Sequence, residues 1–139
     1  MKTYVVIPQF LVTDELVQLA KDCIESYRKY SNVFIISIDD SGEYKLSKGA
    51  KDVLKMSNLV IKNKKNSGFA ITCNNGFNWI FENEKDDCYI VCSNNDIRIN
   101  KKTVEALAQP FGMFENVAIT GIISTRGKEW EGKPLDVMD

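Results

Sequence analysis

Val33 to Ile38 is apolar at every position but Ser37, and the run ends in the paired carboxylates Asp39-Asp40. A strand with one wet face alternates apolar and polar residues. One that stays apolar at successive positions is covered on both faces, as in a parallel sheet between helical layers. Tyr89-Ile-Val-Cys92 has the same character and runs into Ser93-Asn94-Asn95-Asp96. In open α/β sheets, ligands bind beyond the carboxyl ends of the strands where strand order reverses. Two buried strands ending in acids and amides therefore point to one shared site.

The pattern around these runs supplies the remaining layers. Tyr4 to Ile7 is a short apolar strand, with Pro8 expected to end it because proline has no N–H to donate. From Asp14, residues Leu16, Leu19, Ala20, Cys23, Ile24 and Tyr27 recur at helical spacing, with Thr13 or Asp14 as cap. Glu43 to Ser57 holds a weak helix around Ala50, Val53 and Leu54, and Asn58 to Ile61 reads as a third strand. A polar loop over Lys62 to Gly68 leads to a helix with Ala70, Cys73, Phe77, Ile80 and Phe81 on one stripe. Gly76 inside it costs about 1 kcal/mol against alanine, which asks for close backbone packing or a ligand nearby. Cys88 to Cys92 is the fourth strand, a helix lies near Thr103 to Ala108, and Val117 to Ile123 is expected as a fifth strand. This alternation predicts an α/β fold, mostly parallel, with right-handed crossovers.

The bulk properties narrow the function. The chain of 139 residues is enough for one domain with its own core. Eighteen basic and nineteen acidic residues leave a net charge of -1, so nothing signals a nucleic-acid partner. No apolar run is long enough to be a signal sequence or membrane span, and a cytoplasmic protein is the expectation. Histidine is absent, which removes His-based triads and His-ligated metals. Cys23, Cys73, Cys88 and Cys92 show no CxxC spacing and read as structural thiols, with Cys88 and Cys92 on one strand face as small buried hydrophobes.

Four spaced pieces then line up: Ile7-Pro8, Asp39-Asp40-Ser41-Gly42, Asn66-Ser67-Gly68 with Asn74-Asn75-Gly76, and Ser93-Asn94-Asn95-Asp96. In this order they resemble the nucleotide-binding half of a family 2 glycosyltransferase of the GT-A fold, over about residues 4 to 123. The resemblance implies a Rossmann-like three-layer α/β/α sandwich over residues 1–123, with 124–139 as a loop or tail of the same domain. It also implies transfer of a sugar from a nucleotide-diphosphate sugar, UDP-linked by expectation, to an unidentified acceptor. Around the nucleotide it places Pro8, Gln9, Asp39, Asp40, Asn66, Gly68, Asn74, Asn94 and Asn95. Asp40 would accept from the uracil ring N–H, since a carboxylate only accepts. Asp96, last acid of an Asp-x-Asp-like element, would bind Mn²⁺ or Mg²⁺ bridging the diphosphate.

Other readings stand beside these. Asp-Asp-Ser-Gly also suits an Asx turn, and Lys62 and Lys64 read as solvated surface before they read as base or phosphate contacts. Asn94 stands where the family carries an acid, and Pro8-Gln9-Phe10-Leu11 replaces its Pro-x-Tyr-Asn start. Glu129, Glu131, Asp136 and Asp139 follow the fifth strand without a matching context, so the catalytic base is unassigned. The alternative function is a non-catalytic nucleotide-sugar-binding module or a partner-dependent half of a transferase. Homo-oligomerisation through Phe111, Phe114 or Trp130 would supply an acceptor wall. A nucleotidyltransferase or P-loop enzyme is disfavoured because Pro8 to Thr13 contains no glycine.

Overall fold

A computed structural model of the protein describes residues 1–121. Strands and helices alternate along them as β1 (Lys2–Gln9), α1 (Asp14–Tyr30), β2 (Phe34–Asp39), α2 (Ala50–Leu54), β3 (Leu59–Lys62), α3 (Phe69–Asn83), β4 (Cys88–Cys92) and α4 (Thr103–Met113). The four strands form one sheet in the order β3-β2-β1-β4, with every pairing parallel. Tyr4 lies opposite Phe34 in β2 and opposite Ile90 in β4, so β1 runs through the middle of the sheet.

Both faces of that sheet are covered, as the unbroken apolar run of β2 requires. Val5, Ile7 and Ile35 meet Ala20, Cys23, Ile24 and Tyr27 of α1 and Ala50, Val53 and Leu54 of α2. Tyr4, Val6, Ile36 and Ile38 face the other way, onto Ile80, Phe77 and Trp79 of α3. Each large side chain so buried contributes about 2 kcal/mol. Trp79 stacks on Phe34 with ring centroids 5.9 Å apart, and the Tyr4 hydroxyl donates to Glu84 Oε2 at 2.7 Å. This is the mixed α/β, parallel-sheet arrangement of the GT-A fold.

Thr13 caps α1 by accepting from the Leu16 N–H at 3.2 Å, and Asp14 and Glu15 at one end with Arg28 and Lys29 at the other complement the helix dipole. Its deepest stripe starts at Val17, while Leu16 and Leu19 are half-buried. The buried face of α3 is Thr72, Cys73, Gly76 and Ile80; Ala70 and Phe81, expected on it, are exposed. Gly76 is a matter of packing: a Cβ there would stand 2.5 Å from Val6 Cγ1 and 3.0 Å from Ile38 Cδ1.

Several boundaries differ from expectation. Pro8 does not end β1, which continues through Gln9 with Pro8 opposite Ile38. Helix α2 is only five residues long, beginning after Gly49 at φ +84°. No strand forms over 117–121, where Ile119 is exposed, and residues 122–123 of the expected fifth strand lie outside the described residues. Cys92 is exposed and Cys88 half-buried, contrary to two buried thiols.

The chain divides into two compact units, Met1–Val104 and the residues from Glu105 onward. The first holds the whole sheet. In the second, Thr120 Oγ1 donates to the Leu107 carbonyl at 2.7 Å, Phe111 is half-buried and Phe114 exposed. Trp130 and the tail expected over 124–139 lie outside the described residues. No helix among the described residues is long and apolar enough to cross a membrane.

Candidate functional site

From β1 the chain moves outward to β2 and β3, then returns to place β4 on the other side of β1. That reversal puts the switch point between β1 and β4, where an open α/β sheet leaves room for a ligand. Proline is tolerated in β1 for the same reason. Residues alternate in the side to which their N–H and C=O point, and Val6 accepts from Ser93 N on the β4 side while Gln9 accepts from Asp40 N on the β2 side. Pro8 shares the parity of Val6, so its missing N–H falls beyond the last β4 pairing, Val6 with Cys92.

Gln9 is buried and spans this point. Its Nε2 donates to Ser37 Oγ at 3.2 Å, and its Oε1 accepts from Asn95 Nδ2 at 3.0 Å. The end of β1 is thereby tied to the turn after β4. From beneath, Tyr27 of α1 donates to Ser93 Oγ at 3.1 Å, and Ser93 Oγ and Cys23 Sγ both donate to the Asn94 carbonyl, at 2.9 and 3.5 Å. Burial raises the Tyr27 hydroxyl above its ordinary pKa and pushes the Cys23 thiol up to about 11, so both stay protonated as donors. Held this way, the turn leaves Asn94 and Asp96 exposed, and Asp96 has no hydrogen bond or ion pair with a described residue.

The two acids after β2 play different parts. Asp39 Oδ1 accepts from Ser41 N at 3.0 Å, an Asx turn, and Oδ2 accepts from no described residue. Asp40 is engaged throughout: Oδ1 accepts from Asn63 Nδ2 and Ser67 N, both at 2.8 Å, and Oδ2 from Gly68 N at 3.1 Å and Asn66 Nδ2 at 3.3 Å. Helix α3 has no side-chain cap and no acid in its first turn. The Asp40 carboxylate supplies negative charge there from across the fold, where the helix dipole favours it. Gly42, at φ +57°, allows the two loops to close, because a Cβ there would lie 2.4 Å from Asn66 N.

Asn63, just past β3, completes the arrangement. Besides Asp40 it reaches Thr72 Oγ1 at 3.0 Å, and its Oδ1 accepts from Asn75 Nδ2 at 2.8 Å. Sequence reasoning passed over it as part of a polar loop. The available signal was an amide directly after an apolar strand, matching the other strand ends. Pro8, Gln9, Asp39, Asp40, Asn66, Gly68, Asn94, Asn95 and Asp96 all fall at the carboxyl edge of the sheet or in the loops joined to it. Asn74 does not join the network; it lies on the exposed face of α3 and its neighbour Asn75 makes the contact instead. Lys62 and Lys64 are exposed.

The model of glycosyl transferase family 2 matches residues 4–137. The chain belongs to that family. No curated protein and no solved structure matches it. Membership of family 2 makes the chain a glycosyltransferase in kind, working between a nucleotide-sugar donor and an acceptor.

In this family 2 glycosyltransferase, no group of three or more His, Cys, Asp or Glu among the described residues could hold a metal ion. Asp96 stands alone as an uncommitted carboxylate on the β4 turn. One carboxylate is a fitting donor set for Mg²⁺ or Mn²⁺ when phosphates and water supply the other ligands. The residues thus suit a cation that arrives with a diphosphate. Glu129, Glu131, Asp136 and Asp139 lie outside the described residues.

Proposed function

We propose that the protein transfers a sugar from a uridine-diphosphate sugar, with a divalent cation, and that the donor nucleotide sits at the β1/β4 switch point. The observation carrying this reading is that two acidic groups there are left uncommitted, Asp39 Oδ2 and the Asp96 carboxylate, while Gln9, Asp40, Asn66 and Asn95 are used to hold the loops in place. The base-facing part expected of Asp40 falls to Asp39 in this reading. An oxygen that only accepts suits the N3–H of uracil, a donor that cytosine lacks. Asp40, with both oxygens given to the 63–68 loop, fixes the wall of the pocket.

Gln9 and Asn95 hold the β4 turn in register with β1, and this orients Asp96 toward the diphosphate. A cation bound by Asp96 would neutralise the charge that grows on the departing diphosphate. Asn94 offers an amide that both donates and accepts, suited to a ribose hydroxyl.

Donor hydrolysis tests this reading. With a panel of UDP-, GDP-, CDP- and dTDP-sugars, the protein should release the nucleotide from UDP-sugars only in the presence of Mn²⁺ or Mg²⁺. Asp96→Ala should lower that release on the order of 100-fold. Equal hydrolysis by Asp96→Ala contradicts the metal assignment. Donor binding without turnover or transfer to any acceptor would instead make the chain a nucleotide-sugar-binding module.

A further inference from the structure

The sulfur atoms of Cys73, in α3, and Cys92, the last residue of β4, lie 3.3 Å apart. Nothing in the nucleotide site uses either of them. Cys88, Ile90 and Cys92 share the parity that faces α3, because strand side chains alternate, and Cys88 and Ile90 pack on the α3 side of the sheet. Cys73 is buried, whereas Cys92 is exposed at the end of a strand that pairs on one side only among the described residues. An accessible thiol therefore touches a protected one. We propose that Cys73 and Cys92 form a reversible oxidation site, closed to a disulfide by a hydroperoxide and reopened by a dithiol.

The pairing is selective. Cys88 is four residues from Cys92 on the same strand, roughly 13 Å away, too far for a bond that needs Cα atoms within about 7 Å. Cys23 belongs to the opposite face of the sheet, with Val5 and Ile35, and is bonded to the Asn94 carbonyl. Between Cys73 and Cys92 the sulfurs need to close by only about 1.3 Å to reach bonding distance. Their two elements are already fixed to each other's surroundings, since Gly76, one turn along α3, packs on Val6, the β1 partner of Cys92.

The order of events follows from access. Burial and the neighbouring Cys92 push the Cys73 thiol up to about 12, so it is a poor first nucleophile. The Cys92 sulfur, as thiolate, attacks one oxygen of hydrogen peroxide and the O–O bond breaks. Cys92 becomes a sulfenic acid and the released hydroxide takes up a proton as water. Cys73 sulfur then attacks the Cys92 sulfur and the S–O bond breaks. The departing hydroxide leaves as a second water with the Cys73 proton. In sum, two thiols and one peroxide give one disulfide and two waters. The bond would join α3 to the residue directly before Ser93, at the root of the turn that carries Asp96.

Peptide mapping of the full chain tests the site, and the result does not depend on what the nucleotide pocket binds. The protein is treated with a few equivalents of hydrogen peroxide, alkylated in denaturant and digested without reduction. The expected product is a linked pair of peptides carrying Cys73 and Cys92, lighter by two hydrogens, with Cys23 and Cys88 alkylated. In a sample given dithiothreitol after the peroxide and before alkylation, all four thiols should be alkylated and no link found. In Cys73→Ser, Cys92 should stop at the sulfenic acid and be trapped by dimedone; in Cys92→Ser, Cys73 should remain alkylatable. Cys92 found alkylated or over-oxidised without a link in the wild-type protein, a link through Cys23 or Cys88, or oxidation of Cys73 in Cys92→Ser would each overturn the proposal.

Discussion

Asp39 and Asp40 are adjacent, both buried and chemically identical, yet the fold gives them opposite tasks. Asp40→Asn turns an acceptor into a donor against the Ser67 or Gly68 N–H and should cost about 2 kcal/mol in urea unfolding. Asp39→Asn keeps an oxygen for Ser41 N and should cost less than about 1 kcal/mol while weakening uridine binding. The sequence showed two acids at a strand end but not which one the loop would claim, because the claim is made by Asn63 to Gly68, more than twenty residues away. Gly76 was legible as a helix glycine needing a reason, and the reason is contact with Val6. Gly76→Ala should destabilise by about 1–3 kcal/mol in the same assay, although alanine favours the helix itself. Glu84 carries a strongly depressed carboxyl. The Tyr4 hydroxyl foremost, then the Asp86 and Lys85 N–H groups and Lys2, hold its carboxyl down from 4.5 to about 2. A depressed carboxylate stabilises above its unfolded pKa and loses that stability as pH falls through the folded one. Wild-type protein should therefore exceed Glu84→Gln in unfolding midpoint at pH 7. The gap should close between about pH 4.5 and 2.

Among the elements, β2 and α1 were plain from pattern because each buries a continuous face. Strand β1 runs further than its proline suggested, since whether Pro8 interrupts a ladder depends on where β4 ends, and one strand's own residues do not record that. The β-branched run at 117–121 shows the converse: strand propensity measures fit to neighbours, and Ile119 remains exposed. The loop from Asn63 to Gly68 looks like solvated polar chain in sequence, but its amides are fixed to Asp40 and α3. Hydrogen exchange should find the Ser67 and Gly68 amides protected in the wild type. Asn63→Ala, which strips partners from Asp40, Thr72 and Asn75, should speed their exchange by about tenfold or more. Unchanged exchange would mean that Asn63 does not organise the loop.

For the molecule as a whole, a parallel sheet with its order reversed between β1 and β4 gathers residues from four separate stretches of chain onto one edge. The order of motifs made the family legible in advance, and the family model matches residues 4–137. Less legible was the division between polar groups that the loops engage and those that they leave free. Gln9, Asp40, Asn66 and Asn95 are spent on the protein, whereas Asp39 Oδ2, the Asp96 carboxylate and the Asn94 amide bond no described residue. Calorimetric titration of the protein with UDP, GDP, CDP and dTDP, each with and without Mn²⁺, tests that division most directly. Binding of UDP that needs the cation, and that is lost in both Asp39→Asn and Asp96→Ala, is the predicted result. Binding of no nucleotide, or UDP binding indifferent to the cation and to both substitutions, would contradict it.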